Sequence, residues 1–160
     1  LTMIYLVDGH NVIFAGAKKF CSATESGRRA ELVRKIRDYL VGKRGIEVVV
    51  VFDSRNKYPA EKTPKSLPRV RVIYASENRN ADEMIDIMVQ RAKNPREIVV
   101  VSSDRQVLKN ADYSGARTMT AQEFLDLILP AEISDDDADE KPEILTDEEM
   151  AEWKKYFGID

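Results

Sequence analysis

The run Val48-Val49-Val50-Val51-Phe52 offers no polar position that could face water, and Ile98-Val99-Val100-Val101 repeats the pattern. A strand that is apolar on both sides has both faces covered, which is the condition of a parallel sheet between two helical layers. Met3-Ile4-Tyr5-Leu6-Val7 is a third such run, and segments of helical period separate all three. Strands alternating with helices in this way predict an α/β fold, a mostly parallel central sheet flanked by helices. Each run also leads into an aspartate: Asp8, Asp53 and Asp104. In an open parallel sheet the carboxyl ends of neighbouring strands converge on one crevice, where ligands bind.

The intervening segments fill in the rest. A helix is expected over 27–43, with Ala30, Val33, Ile36, Leu40 and Val41 on one face and Gly45 as its stop. Before it, Asp8-Gly9-His10-Asn11 reads as a loop. A long loop is expected from Ser54 to Pro68, then a strand over Val70–Tyr74 whose partial alternation places it nearer an edge. Asn80 caps a helix with Ile85, Met88, Val89 and Ala92 on its apolar face. A short helix after Asp104 turns Val107 and Leu108 inward, and a fifth strand is expected near Ala116–Met119. Thr120-x-x-Glu123 is a capping box that opens a helix packing Phe124, Leu125, Ile128 and Leu129.

With 160 residues the chain can build one ordinary domain with a real core, assigned here to 1–130. Beyond it an acidic linker (131–145) precedes a short C-terminal helix (146–160), opened by Thr146-x-x-Glu149 and carrying Trp153, Tyr156 and Phe157. No apolar run approaches the roughly 20 residues of a membrane span. The opening apolar run is too short for a secretory signal. Met3 is the expected natural start, and the single Cys21 fits a reducing cytosol, so a cytoplasmic location is expected. The net charge of -3 hides an asymmetry: residues 1–130 hold 22 Lys+Arg against 16 Asp+Glu, and residues 131–160 hold 3 against 12. A basic body suits a polyanionic partner through phosphate contacts.

Four carboxylates, Asp8, Asp53, Asp82 at a helix start and Asp104, would repel one another at the strand ends unless a cation sits among them. An all-oxygen donor set favours Mg²⁺ or Mn²⁺ over zinc. Asp86 shares the helix face of Asp82. The amide of Asn11 is placed to position a phosphate, a water or a metal-bound ligand. His10 is the only histidine, so a two-histidine ribonuclease mechanism is impossible within one chain. No Gly-x-Gly-x-x-Gly, no Gly-x4-Gly-Lys-Ser/Thr and no Gly-x-Ser-x-Gly is present, which removes support for nucleotide loops and a nucleophile elbow. After Asp53 comes a basic stretch with Arg55, Lys57, Lys62, Lys65, Arg69 and Arg71 against Glu61 alone. Its cations suit a nucleic-acid backbone, and Tyr58 suits stacking on an unpaired base.

Val7-Asp8-Gly9-His10-Asn11-Val12-Ile13, Arg37-Asp38-Tyr39-Leu40, Val51-Phe52-Asp53, Asn80-Ala81-Asp82-Glu83-Met84-Ile85 and Val101-Ser102-Ser103-Asp104 together resemble the YacP-like branch of NYN domains, relatives of PIN-domain nucleases. The resemblance covers 3–130. It implies a PIN-like sheet and a divalent-metal endoribonuclease, in a branch that includes ribosome-associated enzymes cutting messenger RNA. By position it makes Asp8, Asp53, Asp82 and Asp104 the acidic site, with Asn11 and Ser103 as supporting polar groups. His10 stands where relatives often carry Tyr. The expected function is therefore metal-dependent cleavage of single-stranded or ribosome-presented RNA. A non-catalytic RNA- or ribosome-binding module and a phosphatase of small phosphate esters are the alternatives.

Overall fold

The structure is a computed structural model, and it describes residues 2–53, 69–76 and 78–130. The 54–68 loop, the acidic linker (131–145) and the C-terminal helix (146–160) lie outside the described residues. In chain order the elements are β1 (Met3–Asp8), α1 (Gly9–Ala15), α2 (Glu25–Leu40), β2 (Ile46–Phe52) and β3 (Val70–Tyr74). They are followed by α3 (Ala81–Arg91), β4 (Ile98–Val101), α4 (Arg105–Tyr113), β5 (Arg117–Met119) and α5 (Ala121–Ile128). The strands form one five-stranded sheet in the order β3-β2-β1-β4-β5, and every pairing is parallel.

Strand alternation divides the core in two. Val7, Val48, Val50, Phe52, Val99 and Val101 face one layer with Val12 of α1, Leu32 and Ile36 of α2, and Phe124 and Leu125 of α5. The next residue along each strand, such as Leu6, Val49, Val51 and Val100, faces Ile85 and Val89 of α3 and Val107 and Ala111 of α4. The period of two thus turns an all-apolar strand into the middle of three layers. β3 is an edge strand, as its partial alternation predicts. From β1 the chain builds to one side through β2 and β3, then crosses back to β4 and β5. The direction reverses between β1 and β4, and the crevice beyond their carboxyl ends is the switch point where α/β folds bind ligands. Among the described residues no helix is long and apolar enough to cross a membrane.

Local signals hold in detail at three helices. Asn80 caps α3 through Glu83 N–H at 2.9 Å, and Asp104 caps α4 through Gln106 N–H at 2.8 Å. Both arms of the capping box at Thr120 and Glu123 close at 3.1 Å. Three expectations are corrected. The stretch Asp8-Gly9-His10-Asn11 is the start of helix α1, with Asp8 as its N-cap, because an aspartate can end a strand and open a helix in one residue. Helix α2 ends at Leu40, and Val41, expected on its buried face, is 73% exposed. Its stop is Gly42 at φ +77° rather than Gly45, since a left-handed residue just past the last turn ends a helix.

Candidate active site

Asp8 is 2% exposed at the end of a central strand. By strand alternation it points to the side of Leu6, toward α3, where Asp82 stands in the first turn. Burial raises the Asp8 carboxyl from 3.8 to about 8. Hydrogen bonding and charge from Asp82 add to the rise, the Asn11 backbone N–H opposes it, and the Asp53 charge adds a smaller push. Burial and the neighbouring carboxylate thus both favour the protonated form of Asp8. Asp8 and Asp82 lie within hydrogen-bonding reach of each other.

Asp53 and Asp104 are tied to helix starts. Asp53 Oδ1 accepts the Ala81 N–H of α3 at 3.0 Å, and its Oδ2 lies 3.8 Å from His10 Nε2. Asp104 is exposed, and its Oδ1 holds the α4 cap. Asp82, Asp86 and Asp104 line one groove of about 170 Å³ between α3 and α4. Asp86, on the same face as Asp82, also accepts a bond from Gln90 at 3.1 Å. Among the described residues no three His, Cys, Asp or Glu side chains converge closely enough to hold a metal ion in this arrangement. The donor chemistry nonetheless suits a hard cation: all-oxygen ligands, with a buried carboxyl whose proton such an ion would displace.

Asn11 joins the two sides of the switch point. Its amide donates to Asp8 Oδ2 at 2.9 Å, while its Oδ1 accepts the Ser103 backbone N–H at 2.9 Å. The expected polar pair Asn11 and Ser103 therefore does meet at the site, Asn11 tying the end of β1 to the loop after β4. Gly9 makes this approach possible. A Cβ there would collide with the Phe52 ring and stand 3.0 Å from Val50 Cγ1. Only glycine lets α1 begin so close to β2.

Charged residues that apolar periodicity does not mark complete the frame. Arg29 of α2 is 1% exposed, with its guanidinium carbon 4.9 Å from the Phe52 ring centre and 5.8 Å from that of Tyr74. Its Nη2 lies 3.0 Å from His10 Nε2. Arginine has only donors, so His10 Nε2 accepts there and the ring proton belongs on Nδ1. That 3.0 Å contact outranks the 3.8 Å approach to Asp53, which is too long for a hydrogen bond. Glu31, also buried, accepts the backbone N–H groups of Cys21 (2.9 Å) and Ser22, fixing the turn before α2. Ser102 is fully buried and accepts the Asp104 N–H at 3.1 Å.

The basic loop divides. Arg55, Lys57, Tyr58, Lys62 and Lys65 lie outside the described residues. Arg69, counted with them as a phosphate contact, is turned back on the fold: it donates to the Leu40 and Ile46 carbonyls at 2.9 and 3.0 Å.

A profile of the YacP-like NYN domain matches residues 5–157. The chain belongs to the YacP-like NYN domain family. The match runs past Pro130, so the family reaches further along the chain than the motifs over 3–130 implied. Members of this family are nuclease-like, and RNA is the partner the family suggests. An uncharacterised protein YacP of Bacillus subtilis (strain 168) is 34% identical over 125 residues, covering 76% of this chain and 72% of the relative. The crystal structure of Rae1 (YacP) from Bacillus subtilis superposes with a TM-score of 0.62 at 28% identity, covering 97% of this chain and 87% of that one. A tryptophan-to-leucine mutant of the same protein gives 0.61 at 32% identity, over 78% and 73%. This family-level likeness agrees with the five-stranded α/β sheet.

Proposed function

We propose that this chain is a divalent-metal-dependent endoribonuclease that cuts single-stranded RNA, or messenger RNA presented on the ribosome, in the cytoplasm. The observation that carries the reading is the buried Asp8 carboxyl, raised to about 8 and pressed against Asp82 at the switch point of the sheet. Strongly perturbed acids in such a crevice mark functional sites. Asp8, Asp53, Asp82 and Asp104 would hold Mg²⁺ or Mn²⁺, with Asp8 and Asp82 at the centre. A bound divalent ion supplies a water of lowered pKa and neutralises charge on the phosphate oxygens.

The chain's own residues do the positioning. Asn11 holds Asp8 on one side and the Ser103 backbone on the other, so substrate entering the crevice meets groups fixed relative to each other. Asp53 and Asp104 are anchored at the starts of α3 and α4, which keeps their carboxylates at the crevice rim. His10, whose Nε2 accepts from Arg29, offers no donor at that atom and serves as wall rather than acid. Hydrolysis by water breaks the bond from phosphorus to the 3′ oxygen, leaving a 5′-phosphate and a 3′-hydroxyl. Arg55, Lys57, Lys62 and Lys65 would contact the RNA backbone, and Tyr58 an unpaired base.

Incubating purified protein with free and translated RNA, with and without EDTA, tests the reading. Cleavage that stops on chelation and leaves 5′-phosphate ends is expected. Cleavage that survives chelation, or that leaves a 2′,3′-cyclic phosphate, would refute it.

A further inference from the structure

Asn11 also borders a second space, a cavity of about 400 Å³ lined by α1 and the first turns of α2. Its walls include His10, Asn11, Phe14, Glu25, Arg28 and Ser103. Phe14 is 86% exposed although its helix neighbour Val12 is fully buried, so α1 turns one aromatic ring outward over this space. A single exposed apolar residue is ordinary on a protein surface. This one borders a cavity that also carries a carboxylate and a guanidinium. Arg28 is held at the wall by its Nε bond to the Ser22 carbonyl at 3.0 Å. The turn carrying Ser22 is in turn pinned by buried Glu31. The wall is therefore built, rather than a chance cluster of side chains.

The geometry points to a nucleobase subsite: we propose that this cavity takes one unpaired RNA base, stacked on Phe14, from the nucleotide next to the bond that is cut. An exposed ring supplies a stacking face that every base can use. Arg28 offers donors to the base edge, the pairing of a charged side chain with a base edge seen in direct readout. The volume falls within the range of small-ligand sites and suits a base with its ribose. Continuity with the crevice gives the register, since Asn11 borders the cavity and bonds to Asp8. A base inside a duplex is stacked and paired, so the subsite selects single-stranded RNA. The inference rests on the nuclease reading for the words "next to the bond that is cut", and not for base binding itself.

The test uses the full chain, its Phe14→Ala and Phe14→Tyr variants, and single-stranded oligoribonucleotides in which one abasic nucleotide is walked along the sequence. Binding is read by fluorescence anisotropy in EDTA, and cleavage of the same RNAs with Mg²⁺ and Mn²⁺. Because Phe14 is exposed, Phe14→Ala should melt with the parent protein, which confirms that it folds. Phe14→Ala is expected to weaken binding about tenfold, with Phe14→Tyr restoring most of it. In cleavage, an abasic residue at one position beside the cut should cost about as much, and should cost nothing further in Phe14→Ala. Unchanged binding by Phe14→Ala, or losses from the variant and the abasic residue that multiply, would overturn the subsite. If the parent protein binds with this Phe14 dependence but never cuts, the nuclease reading fails and the base subsite stands. If it cuts with no dependence on Phe14 or on any abasic position, the subsite fails and the nuclease stands.

Discussion

Asp8 and Asp104 occupy the same place in the sequence grammar and opposite places in the molecule. Each follows an apolar parallel strand, and each caps the helix that comes next. Yet Asp8 is buried against Asp82 with its carboxyl raised to about 8, while Asp104 is exposed and engaged with its own helix. The difference comes from their neighbours. β1 is flanked by strands on both sides, and α3 covers the end of Asp8's face. Asp104 instead opens a short helix at the rim. Position at a strand end therefore nominates a carboxylate for the crevice, and burial beside a second carboxylate decides which one carries an abnormal proton.

The largest separation between the two is expected in activity. Asp8→Asn should lower RNA cleavage on the order of a hundredfold or more, since in the proposed mechanism Asp8 becomes a charged metal ligand and the amide cannot. Asp104→Asn, which keeps the cap, should lower it less, about tenfold. Equal losses measured by single-turnover cleavage would erase the distinction. Gly9→Ala is expected next. Its Cβ must push against the Phe52 ring, costing about 2 kcal/mol in denaturant unfolding and shifting α1 away from the Asp8–Asn11–Ser103 bridge. A variant as stable and as active as the parent would show that the close approach is unimportant.

Stability against pH sharpens the comparison further. Without metal, Asp8 binds a proton up to about pH 8 when folded, whereas its ordinary value is 3.8. Its contribution is therefore full below pH 3.8 and lost as pH rises through about 8, so the folded protein weakens across that window in EDTA. Asp8→Asn should flatten that fall, and Asp104→Asn should leave it in place. The smallest effect belongs to the exposed partner: Asp104→Ala removes a helix cap and should cost about 1 kcal/mol in the same unfolding experiment.

What could be read from the chain divides along the same line. The strands, their parallel sheet, the caps at Asn80 and Thr120 and the strand-end aspartates all have local signals, because apolar period and capping residues act over a few positions. Helix α1 was hidden because it begins on Gly9 directly after a strand and lasts only two turns, too short for a period to declare itself. Arg29 and Glu31 were hidden for another reason. Charged residues belong by default on the solvent face of α2, and contacts from elsewhere in the fold bring these inside: the rings of Phe52 and Tyr74 with His10 for Arg29, and the turn at Cys21–Ser22 for Glu31. The contact of Asp8 with Asp82 joins β1 to α3 across most of the domain, and no local pattern could rank Asp8 above Asp104. Arg69 shows the converse: a cation in a basic stretch can be taken up by backbone carbonyls of the fold.

In the proposed mechanism the buried Asp8 carboxyl gives up its proton when a divalent ion binds. Titrating the metal-free protein with Mn²⁺ by calorimetry, in buffers of different ionisation enthalpy at a pH between 3.8 and about 8, measures that proton directly. Release of about one proton per ion bound is expected, lost in Asp8→Asn and kept in Asp104→Asn. Binding without proton release, or release that persists in Asp8→Asn, would contradict that claim.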